Sequence, residues 1–278
     1  MAYNNRSKRR RRKLGRSGVS HKLLGSAIVA VALVMLSGFA YLNHKATSDR
    51  GGIDAKFCRK NGMSQVTVVL VDHTDRMSAV QRSSLEKHLW DVATSIPKNS
   101  AIRVFSVARV QEHILKPDVD LCNPGSGDDV NEMVANRQIV QKKYESQFRQ
   151  PLSDILEQTL QSGTADESPI MEAVQSVVVS NFIGDGNIAP IKRLIVVSDL
   201  LEHTNEFSLY KGVPDFASYK KSSHWQTVRS KMNDVQVEIF FLHRKGQERL
   251  QNNDLTAFWD KFFFNQGAVV TKTIRIEG

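Results

Sequence analysis

Cysteine is scarce in this chain. Two cysteines among 278 residues exclude a disulfide-rich scaffold and a structural zinc site with four thiolates. Seven prolines and 16 glycines are too few for a low-complexity chain. Catalytic signatures are missing too. There is no Gly-x-Ser-x-Gly elbow, no P-loop and no His-Glu-x-x-His pair. Gly184-Asp185-Gly186 is a lone turn before a strand, not a phosphate loop. No internal repeat is present. What remains is ordinary globular material, 41% hydrophobic and 24% charged, long enough for one or two domains.

Acidic residues are absent from residues 1–22, which hold Arg6, Lys8, Arg9, Arg10, Arg11, Arg12, Lys13, Arg16 and Lys22. These bases account for the whole net charge of +9, leaving 29 bases against 29 acids in the remainder. The basic pI therefore belongs to a tail, and nucleic acid is not an expected partner of the folded body. Charge of either sign is then absent from Leu23 to Leu42. At 1.5 Å per residue this stretch spans about 30 Å, the hydrocarbon thickness of a bilayer. One transmembrane helix is expected at 23–42. The positive-inside rule places the tail in the cytoplasm, where it meets anionic lipid headgroups, and the rest beyond the membrane. The rival is a cleaved signal peptide, whose apolar region is usually shorter. The expected setting is a bacterial inner membrane, with the main domain periplasmic or extracellular.

Residues 43–63 read as a linker, and 64–278 as one domain. Gln65–Asp72 is a continuous β-branched run, as in a strand buried on both faces. Ser78–Ile96 has helical spacing. Ile102–Val107 and Val110–Leu115 read as strands, the latter antiparallel because its connection is too short for a crossover. Lys116–Asp129 reads as a polar loop. Helices are expected at Val130–Leu160, with a break near Pro151, and at Ser168–Phe182, with Ser168 as N-cap and Pro169 at the first helical position. A strand at Ile191–Asp199, a helix at Phe216–Met232, a strand at Val235–Leu242, a helix at Asn253–Phe264 and a strand at Val269–Ile276 complete the chain. This alternation predicts an α/β, Rossmann-like fold: a mainly parallel six-stranded sheet, one antiparallel edge strand and helices on both faces. Cys58 precedes the first strand and Cys122 follows the third, so both fall at one end of the sheet. That permits a disulfide, worth about 4 kcal/mol in the chain-entropy model. The alternative is two unpaired thiols.

Ligands of open parallel sheets bind outside the carboxyl ends of the strands. Three segments bring oxygen groups there: Asp72-His73-Thr74-Asp75-Arg76, Ser168-Pro169-Ile170 and Asp199. Hydroxyls and carboxylates without thiolates suit a hard cation. At these residues the chain resembles the von Willebrand factor A-type domain, over roughly Gln65 to the C-terminus. The resemblance implies a metal-ion-dependent adhesion site for Mg²⁺, or Mn²⁺, with Asp72, Thr74, Ser168 and Asp199 as metal residues. It further implies a protein partner whose carboxylate completes the coordination. Arg76 stands where the family has a third hydroxyl, and a guanidinium cannot ligate a cation. Either the metal survives this change, with Asp75 or Ser78 compensating or Arg76 pointing away, or Arg76 pairs with Asp72 or Asp199 in a metal-free fold; without metal, Arg76 is itself a bidentate donor for the partner's carboxylate. The bland alternatives are that Thr74 and Ser168 cap helices and that the two aspartates face helix N-termini.

The chain is thus expected to be a non-enzymatic, membrane-anchored interaction module. A structural subunit of an envelope complex is one alternative. A hydrolase using His73 or His203 is another. Trp225, in a basic polar context, is a candidate exposed anchor for a partner, and Leu201–Lys221 a candidate lid.

Overall fold

The computed structural model describes residues 21–49, 56, 58, 62–74, 76–107, 115–130, 136–161, 165–183 and 189–278. The expected tail up to residue 20 and most of the linker lie outside them. The chain divides into two units, Met1–Gly51 and Gly52–Gly278.

Among its described residues the first unit forms helix α1 (His21–Asp49), which covers the whole expected span. Its described apolar side chains, among them Ile28, Leu33, Leu36 and Phe39, are exposed. The Ser37 hydroxyl donates to the Leu33 carbonyl at 2.8 Å, so the helix satisfies its own polar group. Among the described residues no helix is long and apolar enough to cross a membrane.

The second unit is a six-stranded sheet. Its strands are β1 (Gln65–Val71), β2 (Ala101–Ser106), β3 (Val119–Cys122), β4 (Ile191–Ser198), β5 (Val235–Leu242) and β6 (Val269–Ile276). They lie in the order β3-β2-β1-β4-β5-β6. All pairs are parallel except β2 with β3, which is the expected mixed sheet with an antiparallel edge. Helices α2 (Ala79–Ser95), α3 (Arg137–Tyr144), α4 (Gln150–Gln161), α5 (Ile170–Phe182), α6 (Phe216–Tyr219), α7 (Ser223–Val228) and α8 (Asn253–Phe264) complete the unit.

Every residue of β1 is buried, which explains its unbroken apolar run. Side chains alternate between two cores, as the strand period requires. Val66, Val68 and Leu70 join Ile170, Val174, Phe258 and Trp259 on one face. Val69 and Val71 join Leu85, Leu89, Phe148 and Leu152 on the other. Each such side chain contributes about 1.5–3 kcal/mol by leaving water.

Three expectations need correction. The antiparallel strand is Val119–Cys122, inside the segment read as a polar loop, whereas residues 108–114 lie outside those described. Four residues with Asp120 among them carry little hydrophobic signal, and Asp120 tolerates its place because Arg103 Nε donates to it at 3.0 Å. Pro151 does not break its helix. A π turn at Glu145–Arg149 joins α3 to α4, widening the helix ahead of a ring that would otherwise clash with the carbonyl four residues back. The expected helix at Phe216–Met232 is two short ones, because the Ser222 hydroxyl accepts from the Trp225 amide at 3.2 Å and starts a new helix there.

Cys58 and Cys122 form a disulfide. It ties the approach to β1 onto the edge strand β3, where the Cys122 amide also donates to the Lys56 carbonyl at 2.9 Å. Replacing both cysteines by serine is expected to lower stability by about 2–4 kcal/mol, read from urea unfolding. An unchanged midpoint would show that the bridge does not constrain the unfolded chain.

Candidate functional site

The sheet order reverses between β1 and β4, because the chain leaves β1 toward β2 and leaves β4 toward β5 on the opposite side. A crevice opens at such a switch point, at the carboxyl ends of the strands. Asp72 follows β1 directly, and its amide donates to the Val197 carbonyl of β4 at 2.8 Å. Asp199 follows β4. Ser168 reaches the same edge through a two-residue bridge, its amide donating to the His203 carbonyl (2.8 Å) and its carbonyl accepting from the His203 amide (3.0 Å).

The side chains converge on Asp72, which is 1% exposed. Asp72 Oδ1 accepts from the Thr74 hydroxyl at 2.6 Å and the Thr74 amide at 3.1 Å. Asp72 Oδ2 accepts from the Ser198 hydroxyl at 2.9 Å and the Ser168 hydroxyl at 3.1 Å. Three of the four expected residues are therefore brought into direct contact, with Ser198 added. The capping alternative fails for Ser168. Its hydroxyl points at Asp72, and the first free amide of α5, that of Met171, donates instead to Glu202 Oε2 at 2.8 Å.

Asp199 has a different partner. Its Oδ1 accepts from the Leu201 amide at 2.9 Å, and its Oδ2 accepts from Arg244 Nε at 2.8 Å. Arg244 lies two residues beyond β5 and is held there by Gln251. The Arg244 amide donates to Gln251 Oε1 at 2.6 Å, while Gln251 Nε2 donates to the Leu242 carbonyl at 2.8 Å and the Asp199 carbonyl at 3.1 Å. Arg244 Nη1 also donates to the Arg76 carbonyl at 3.3 Å. Burial, and then the charge of Asp72, raise the Asp199 pKa to about 7, while Arg244 and the Leu201 amide pull it back.

This donor set does not fit a divalent cation. A guanidinium occupies Asp199. Arg76, at the third place of the loop, brings no ligand. The expected pairing of Arg76 with an aspartate is also corrected. Its side chain is exposed, and the arginine on Asp199 is Arg244. The signal for Arg244 was present in the sequence: His243-Arg244-Lys245 comes directly after a strong strand and so belongs to the same sheet edge. Ser198, the last residue of β4, carried the same signal, since it too ends at this sheet edge.

Two further candidates are corrected. Trp225 is no exposed anchor. It is 5% exposed and packs edge-on against Phe216, Tyr219 and Phe262. The segment from Leu201 is no loose lid, since Leu201, Glu202, Leu209, Phe216 and Tyr219 are all buried. Of the two histidines, His203 Nδ1 lies 2.9 Å from the Ser208 hydroxyl. His73 is buried, with Nδ1 lacking a hydrogen bond.

No family model matches the chain. No curated protein matches it either. Among solved structures, it is similar to the VWA domain of SpRpn10 at 9% identity, covering 77% of this chain and 90% of that one with a TM-score of 0.40. An aerotolerance-related membrane protein from Bacteroides fragilis is similar at 13% identity, covering 78% and 92%, with a TM-score of 0.34. The conserved hypothetical protein BatB from Bacteroides thetaiotaomicron is similar at 12% identity, covering 78% and 92%, with a TM-score of 0.33. At these scores the likenesses carry no argument about this chain, and the reading rests on its own topology and side chains.

Replacing Arg244 by Ala strips a buried carboxylate of its partner and is expected to cost about 3 kcal/mol at pH 8. The cost shrinks at pH 5, where Asp199 takes up a proton. Because the folded pKa of Asp199 lies above its unfolded value, its contribution is full below about pH 4 and is lost as pH rises through about 7. Asp199→Asn should flatten that slope in denaturant unfolding across this window. A slope unchanged in the variant would remove Asp199 as its source.

Proposed function

We propose that this chain is a membrane-anchored, non-enzymatic protein-interaction module of the von Willebrand A type. It binds a partner's carboxylate at the Asp72–Asp199 edge through guanidinium rather than through a divalent cation. The observation that carries this is Arg244 seated on Asp199 beside a fully bonded Asp72. Arg244 thereby neutralises the edge from within. Its bond to the Arg76 carbonyl fixes the backbone of a neighbouring arginine whose side chain is exposed. A planar guanidinium grips a carboxylate with two parallel hydrogen bonds, so Arg76 is the partner-facing group.

The anchor is part of the same proposal. Its support is the uncharged run Leu23–Leu42, the continuous helix α1 across it, and the basic tail before it. The disulfide suits an oxidising compartment beyond the membrane. The tail then lies in the cytoplasm against anionic lipid, and the domain lies in the periplasm.

Two experiments test this. A displayed peptide library should yield acidic sequences that lose binding when their carboxylates are amidated and when Arg76 becomes Glu, with no response to chelator. Binding that requires Mg²⁺ would overturn the guanidinium reading. Protein lacking residues 1–50 should leave the membrane fraction, whereas the full chain should resist carbonate extraction. A full chain released by carbonate would overturn the anchor.

A further inference from the structure

Glu172 on the first turn of α5, Glu202 in the segment after β4 and His224 on α7 meet inside the domain. Glu202 is fully buried, and His224 is 3% exposed. One ligand atom from each of the three lies within 4.8 Å of the others. Glu202 Oε2 accepts from the Met171 amide at 2.8 Å, and His224 Nε2 lies 3.1 Å from Glu172 Oε1. The remaining oxygens, Glu202 Oε1 and Glu172 Oε2, are buried, and what meets them is a proton shared between the two carboxyl groups rather than a donor from another residue. Among the described residues neither carboxylate pairs with a lysine or arginine, the one ion pair being that of Glu172 with His224.

The other side of the imidazole is also partnered. The Tyr219 hydroxyl lies 3.0 Å from Met171 Sδ and 2.9 Å from His224 Nδ1. The phenol either donates to Nδ1, leaving Nε2–H to donate to Glu172 Oε1, or accepts from Nδ1–H, leaving Nε2 without a proton. The second of these tautomers is the one that ligates a metal through Nε2. The imidazole Nε2 and two carboxyl groups therefore converge inside the domain. A shared proton answers one of these contacts, whereas a divalent cation answers all three.

We propose that Glu172, Glu202 and His224 bind a divalent transition ion of the zinc class, with Tyr219 orienting the imidazole from behind. One imidazole and two carboxylates form a mixed nitrogen and oxygen set of the kind Zn²⁺ accepts, leaving a fourth position open. Mg²⁺ favours oxygen ligands alone, and a second-sphere hydrogen bond to a ligating histidine is the usual support. The ion joins α5, α7 and the segment after β4. This site is independent of the carboxylate-binding edge.

The test is calorimetric titration of untagged, chelator-treated full-length protein with Zn²⁺, alongside visible absorption of the Co²⁺ form. The expected result is one equivalent of Zn²⁺ and Co²⁺ bands of a four-coordinate centre. Glu202→Gln and His224→Ala should each weaken binding roughly a hundredfold or more, and Tyr219→Phe about tenfold. Arg76→Glu should leave Zn²⁺ binding intact even though it abolishes carboxylate capture, which separates this site from the edge. Folded wild-type protein that takes up no Zn²⁺ would overturn the proposal. So would uptake undiminished in both ligand variants, and in either case the carboxyl pair is left sharing a proton.

Discussion

A carboxylate that is 1% exposed has to be met by donors or by a cation, and Asp72 is met by donors from three separate segments. Thr74 comes from its own loop, Ser198 from the end of β4 and Ser168 from the approach to α5. Leaving one of these bonds unmade inside the protein costs about 1–3 kcal/mol. Asp72 therefore sets how the three loops stand relative to each other at the switch point. Its position follows from β1, which is buried along its whole length and paired on both sides. The functional edge thus depends on the central strand for place and on one side chain for shape.

Two buried acidic centres lie near one another and are compensated differently. At Asp199 the protein supplies its own cation, Arg244, whose backbone Gln251 pins. At Glu202 and Glu172 no arginine or lysine arrives among the described residues, and an imidazole and a proton shared between the carboxyl groups remain. On the proposed reading, an internal guanidinium closes the first centre to external ions. The second, on the proposal made above, takes its cation from outside.

The parallel strands were legible because burial on both faces leaves continuous β-branched runs such as Gln65–Val71 and Ile195–Val197. The edge strand Val119–Cys122 was not, since an edge strand buries little and Asp120 interrupts it. Asp72, Thr74, Ser168 and Asp199 could be named because each lies just after a strand or opens a helix, where fold topology places a site. Arg244 is legible only from the residues beyond β5, which reach the same sheet edge as Asp72 and Asp199. Trp225 was misplaced because its polar neighbours in sequence say nothing about the aromatic cluster it joins in space. The Glu172, Glu202 and His224 grouping has no sequence signature at all, because its members come from three distant segments.

The central claim is that a guanidinium takes the place of a metal at the sheet edge. Mn²⁺ electron paramagnetic resonance on full-length protein carrying Glu202→Gln, which silences the second site, tests it most directly. The account predicts that all Mn²⁺ stays in solution at concentrations that saturate oxygen-ligand sites. Bound Mn²⁺ that disappears on adding Asp72→Asn would contradict it.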